Sequence, residues 1–235
     1  MKKIFACSAA LLLTMGASLF AQSTDNMRGV YLSKQGENQV LLLLADGYLS
    51  RIDYAEKAYK GTLGGPYAYD GEKLTLTIEY DDFSKPVGVA VGEKQVYKVS
   101  REGDGFVIGN DRFVKQPAKK QGLDGLWRIT GRKQGDNISA IPRGDRKTIK
   151  LLVDGYFQWI AINPAEKGFY GTGGGHYAFQ NGKYSEHILF FSRDNTRVGA
   201  LLTFEGEIKD SNWHHSGLSS KGDPIYEIWS RDSSN

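Results

Sequence analysis

The stretch LLLLADGYLSRI at 41–52 comes back as IKLLVDGYFQWI at 149–160. Three further blocks return in the same order. RGVYLS at 28–33 matches DGLWRI at 124–129, and YKGTLGGPYAY at 59–69 matches YGTGGGHYAF at 170–179 once one residue is skipped. KPVGVAV at 85–91 matches TRVGALL at 196–202. Matched blocks in one order, with small changes of offset, describe a duplicated unit of roughly 90–110 residues, the size of one small domain. The chain therefore divides into a first repeat at 26–116 and a second at 122–232. The polar KQPAKKQGLDG at 115–125 serves as linker.

The ends and the charge fix the setting. MKKIFACSAALLLTMGASLFAQS has two lysines, an apolar run and then small residues, the pattern of a secretory signal covering 1–21 with cleavage after Ala21. The expected address is exported, either periplasmic or secreted. Cys7, the single cysteine, falls inside this segment, so the mature chain is expected to hold neither a disulfide nor a thiolate metal site. Loss of Lys2 and Lys3 brings the formal net charge from +3 to +1. A surface so close to neutral gives no electrostatic reason to expect nucleic acid or an anionic membrane as partner. Beyond the signal, no stretch is long and apolar enough for a transmembrane helix, so none is expected in the mature chain.

Within each repeat the hydrophobic period is two. KLTLTIEY, GKYSEHILFF and VGALLTFEGEIK alternate or run in short apolar stretches, separated by DG, NG, RDN and GEK punctuation. NPAEKG at 163–168 has room for one helical turn, and no window supports a long amphipathic helix. Seven or eight strands per repeat, joined by short turns, predict an all-β fold. It consists of two tandem antiparallel up-and-down β-barrels, each curled on itself to remove its edges.

The residues GLW at 125–127, DGYFQWI at 154–160 and GGHYAFQNGKYSEHI at 174–188 resemble the lipocalin-like, calycin-type β-barrel domains. The nearest likeness is to uncharacterised secreted bacterial families. The resemblance covers nearly all of the second repeat and, more faintly, the first, where GVY replaces GLW and KLTLTI replaces KYSEHI. It implies a barrel with room for a cavity, and a Trp127 that plugs one barrel end. It supplies no activity, since one fold hosts many functions.

Register follows from NG at 181–182. A two-residue hairpin loop pairs Gln180 with Lys183, then Phe179 with Tyr184, Tyr177 with Glu186 and Gly175 with Ile188. This apolar face, continued to Phe190, is expected to point into the barrel. The other face sets His176 opposite His187 and Ala178 opposite Ser185. Glu186 then sits among rings, where a carboxylate needs a partner, a raised pKa or nearby water. The equivalent face of the first repeat carries Tyr67, Tyr69, Leu74 and Leu76. Two readings stay open for Glu186: a polar anchor inside a greasy pocket, or a member of a packed polar network with Tyr177.

The candidate ligand-binding residues are Phe157, Trp159, Tyr177, Phe179, Tyr184 and Glu186. Arg51 takes the place of Trp159 in the first repeat, where it would snorkel to the rim or bind an acid. Trp213, in the polar DSNWHHSG, reads as a lid or a domain-interface edge. The glycines of GTGGG at 171–175 let a strand bend or pass closely over another. His176 and His187 could share a metal, but they supply two ligands where zinc wants three or four, unless the loop of His214 or His215 folds back to complete the set, so no metal and no cofactor are expected.

Three function classes follow. The preferred one is a non-catalytic binding protein, the second barrel holding a small apolar or amphipathic molecule. The alternative is a cell-envelope carbohydrate-binding or protein-interaction module with solid barrels. A hydrolase using Glu186 ranks last, because no motif supplies a nucleophile with its base or a second carboxylate. On this reading Glu186→Leu, copying the first repeat, weakens ligand binding without unfolding the protein.

Overall fold

A computed structural model describes residues 27–83, 90–219 and 222–232. The proposed signal segment, Cys7 and most of the KPVGVAV block lie outside the described residues.

The first sheet is built from β1 (Gly29–Gln35), β2 (Asn38–Ala45), β3 (Tyr48–Ala55), β4 (Ala58–Tyr69), β5 (Lys73–Thr77), β6 (Tyr80–Asp81), β7 (Lys94–Glu102), β8 (Gly105–Ile108) and β9 (Asp111–Lys115). The second comprises β10 (Gly125–Gln134), β11 (Asn137–Ala140), β12 (Lys147–Val153), β13 (Tyr156–Asn163), β14 (Gly168–Gln180), β15 (Lys183–Phe191), β16 (Leu201–Lys209), β17 (Asn212–Leu218) and β18 (Pro224–Arg231). In each, eight strands run antiparallel in chain order and close on themselves, through the β3–β4 and β9–β1 pairs in the first and the β18–β10 pair in the second. The ninth strand is a short addition, β6 on β4 and β11 on β10. The chain is thus two closed, eight-stranded up-and-down barrels in tandem. NPAEKG contributes one 3-10 turn, Pro164–Glu166.

The turns follow from their residues. Asp46-Gly47, Asp154-Gly155 and Asn181-Gly182 all have positive φ at both positions, the geometry of the two-residue hairpin loop whose twist matches the strands. The Asn181-Gly182 turn gives β14–β15 the register expected from the sequence: Phe179–Tyr184, Tyr177–Glu186, His176–His187 and Gly175–Ile188. Beyond it the pairing slips, with Gly174 opposite Phe190 and Leu189 left over as a bulge. That extra residue reverses the alternation. Phe190 faces out of the barrel, against the first expectation, and Phe191 faces in.

Burial patterns show where the barrels meet. β2 and β12 read as unbroken buried runs, whereas β7 and β16 alternate with exposed residues. The runs have no polar face because one side fills a barrel and the other packs on the neighbouring barrel. Leu41, Leu43, Tyr48 and Ile52 of the first barrel form one cluster with Ile149, Leu151, Ile160, Ile162 and Phe190 of the second. Buried within that seam, Gln158 Nε2 donates to Thr62 Oγ1 at 3.1 Å and Thr172 Oγ1 at 3.0 Å, and its Oε1 accepts from Ser50 Oγ. Arg28 ties the rim by reaching Asp124 at 2.7 Å and Asp154 at 3.1 Å.

Candidate functional site

The second barrel contains a cavity of about 260 Å³, whereas the corresponding space in the first is about 40 Å³. Four exchanges at matched positions accompany the contrast. Gly173 stands where the first barrel has Leu63, so β14 has no side chain to compete with Trp159 and Phe191. Trp159 replaces Arg51, which in the first barrel lines the smaller space and pairs with Asp53 at 2.8 and 2.9 Å. Lys150 and Glu186 replace Leu42 and Leu76, both of which line the smaller space.

Lys150 is the first of the residues that sequence reasoning missed. It projects inward from β12, Nζ 3.0 Å from Glu186 Oε1, and both side chains are 6% exposed. The same oxygen accepts a 2.8 Å hydrogen bond from Tyr184 Oη. The ammonium also sits 4.9–5.8 Å from the ring centres of Phe157, Tyr184, Trp213 and Trp229, so cation–π attraction replaces much of its lost hydration. Glu186 is therefore paired, as its burial required, with Lys150 and Tyr184 in place of the Tyr177 considered from sequence. Burial, then the Glu186 carboxylate, pushes the Tyr184 phenol well above its ordinary range, so it stays a donor.

A second acid–base pair adjoins the first. His215 of β17 and Glu227 of β18 face each other across the strand pair, Nδ1 to Oε2 at 3.5 Å. Glu227 also accepts from Trp229 Nε1 at 3.2 Å and from Arg132 at 3.4 Å. Burial acts to raise its carboxyl, but His215, Lys150 and Arg132 outweigh that and hold it below the usual carboxylate range. Burial, and then Lys150, lower the His215 pKa from its ordinary 6.5, which favours the neutral ring. Neither ring nitrogen of His215 has a hydrogen-bond partner among the described residues.

The sequence-selected residues divide by depth. Trp159 and Glu186 line the cavity, with Ile188, Phe191, Leu202, Phe204, Ile225 and Trp229 as apolar walls. Phe157 and Tyr184 are fully buried behind the Lys150 ammonium and shape its surroundings. Tyr177 and Phe179 lie off the cavity, near the linker. Tyr177 Oη donates to Asp124, and Phe179 N donates to Gln121 Oε1 at 2.6 Å. Burial and Asp124 raise the Tyr177 phenol.

Two tryptophans play structural parts. Trp127 is buried and donates to the Leu123 carbonyl at 2.7 Å. Trp213 is neither a lid nor a domain-interface edge: it is fully buried on β17 in the second barrel's own core, because WHHSG continues a strand and the alternation turns position 213 inward.

His176 stacks on His187, ring centres 6.2 Å apart, and meets Tyr156 edge-on at 4.4 Å. His214 instead contacts Tyr226 Oη at 2.8 Å, and His215 belongs to the barrel interior. Among the described residues no group of three or more metal-ligating side chains gathers.

The signals for the missed residues were present but weak. Lys150 is the one charge in an otherwise apolar matched run, LLLL against IKLL. Its exchange with leucine accompanies that of Glu186, which marks the two as partners. His215 and Glu227 sit on strands too polar in sequence to reveal which face is inside. No protein-family model and no curated protein matches the chain.

Proposed function

We propose that this chain is an exported, non-catalytic binding protein of the lipocalin-like kind, whose second barrel holds one small apolar or amphipathic molecule. The observation that carries this reading is the difference in lumen between two copies of one fold, about 260 Å³ against about 40 Å³. A duplicated barrel that needed only to be stable would have no use for the larger space, since close packing favours filling it. Aromatic and aliphatic walls with a few convergent polar groups are the usual composition of a small-molecule site. Binding would be driven by removing apolar surface from water, and the Lys150–Glu186 end would set orientation. The first barrel acts as a solid support on which the second is seated.

Native mass spectrometry of the protein purified from its own host tests this. The expected result is a co-purifying small molecule released on denaturation. Leu202→Trp, which adds an indole to the cavity wall, should carry none. A wild-type protein that arrives empty and takes up nothing from a library of small apolar compounds overturns the reading.

A further inference from the structure

Taking the second barrel as a binding site, we propose that its ligand is a small neutral amphiphile with a hydroxyl head, an aromatic or alicyclic alcohol. The hydroxyl is seated between Lys150, Glu186 and His215.

Charge balance carries the argument. Around the cavity, Lys150 is paired with Glu186 at 3.0 Å, Arg132 with Glu227 at 3.4 Å and Arg197 with Asp194 at 3.2 Å. Each of these cations has its carboxylate. A ligand carboxylate or ammonium would enter a low-dielectric space as an uncompensated charge, because each charged group there is already neutralised by its own partner. A neutral head has no such cost, yet the polar end asks for more than a hydrocarbon. Of the Glu186 oxygens, Oε1 accepts both Lys150 and Tyr184, which leaves Oε2 with no hydrogen bond among the described residues. His215, 2% exposed and lining the cavity, makes no hydrogen bond through either ring nitrogen among the described residues, and its polar neighbour, Glu227 Oε2, stands 3.5 Å from Nδ1. A buried imidazole in that state costs about 1–3 kcal/mol unless something satisfies it. A hydroxyl both donates and accepts, so it can donate a hydrogen bond to the carboxylate or imidazole and accept one from the lysine.

Size limits the body. An apolar cavity of roughly 150 Å³ holds benzene, so about 260 Å³ accommodates a bicyclic ring system with a short head. Trp159 and Phe191, edge-on with centres 5.6 Å apart, and Trp229 provide ring contacts for it.

Equilibrium dialysis of the full-length protein against four probes of one shape provides the test. They are 2-naphthalenemethanol, its hydrocarbon isostere 2-ethylnaphthalene, 2-naphthoate and 2-naphthylmethylammonium. The expected order puts the alcohol first, ahead of each charged probe by at least roughly tenfold. It also leads the isostere, although the isostere is the more hydrophobic. In Lys150→Leu/Glu186→Leu, which copies the first barrel, the isostere should overtake the alcohol. Should that variant fail to fold, Lys150→Met/Glu186→Met keeps most of the volume, removes the polar atoms of the pair and makes the same comparison. A charged probe or the isostere binding wild type as tightly as the alcohol overturns the hydroxyl assignment and leaves the binding site standing. An alcohol preference that survives both variants likewise overturns the assignment to this polar end. Failure of all four probes to bind overturns the site itself.

Discussion

Positions 42 and 150 occupy the same place in the two barrels, opposite Arg51 and Trp159 respectively, and positions 76 and 186 do likewise opposite Tyr67 and Tyr177. One barrel fills both with leucine and the other with an ion pair. That coupling changes what mutation should do. Glu186→Leu alone, expected from sequence to be tolerated, strands the Lys150 ammonium in a site where it is 6% exposed. The loss should be about 3–5 kcal/mol by urea unfolding, because a buried charge without its partner is the costly state. The double leucine variant should be close to neutral or more stable, as is usual when a whole buried pair is replaced by apolar groups. His215 adds a pH dependence. Its folded pKa lies below the ordinary 6.5, first through burial and then through Lys150, partly opposed by Glu227 and Glu186. As pH falls through 6.5 the unfolded chain takes up a proton that the native ring refuses. Stability should therefore drop from pH 7.5 towards 5.5 and level off once the native ring titrates. His176, lowered by burial and by His187, contributes with the same sign. His215→Ile, matching Ile108 of the first barrel, should flatten the slope in urea titrations repeated across that range.

Hairpins, bulges and glycines decide which side chains reach the lumen. The register of β14 against β15 was legible because Asn181-Gly182 fixes a two-residue turn and the side-chain period is two. The count held for five pairs beyond the first and then failed at Leu189, since nothing in HILFF marks a bulge. The repeat and the closed barrels were legible from pattern, and the cost of a lone charge limited Glu186 to a partner, a raised pKa or nearby water. The identity of the partner was not legible. Lys150 reaches Glu186 across two intervening strands, and cross-barrel contacts leave no trace in local spacing. Which polar residues of β17 and β18 turn inward was equally hidden, because NWHHSGL and PIYEIWSR carry no clean alternation. Gly173 and Gly174 separate the two uses of glycine here. A Cβ at Gly174 would lie 2.3 Å from the Phe157 carbonyl oxygen, which is backbone and has nowhere to go. Gly174→Ala should cost about 1–3 kcal/mol or more in chemical unfolding. At Gly173 the Cβ would instead meet the Trp159 and Phe191 side chains at 2.7 and 2.8 Å. Those rings can swing into open space, so Gly173→Ala should lose more in ligand affinity than in melting temperature.

At the scale of the whole molecule, the seam between the barrels has the form of a two-fold interface within one chain. The matched segments 41–52 and 149–160 are offset by a constant register, and within them Ser50 and Gln158 are equivalent positions that touch each other. Equivalent residues meet in this way only near a two-fold axis. The rim repeats the relation. The Asp46 turn of the first barrel accepts from Leu126 N at 2.8 Å, and the Asp154 turn of the second is held by Arg28. Leu126 and Arg28 lie in the matched opening blocks, Leu126 aligning with Val30 and Arg28 with Asp124. The barrels therefore pack as two subunits of a dimer would, each burying the apolar outer face of its second and third barrel strands. A face built from Ile149, Leu151, Val153, Ile160 and Ile162 cannot be left to water. Residues 122–232 expressed alone should accordingly self-associate or aggregate, read by light scattering, despite forming a complete barrel. Truncation of Leu151 to alanine in the intact chain should cost about 2–5 kcal/mol. Because the seam belongs to both cores, calorimetry of the intact protein should show one unfolding transition for both barrels. Two resolved transitions, with 122–232 monomeric by itself, would mean that the seam is a tether and that the first barrel is no support for the second.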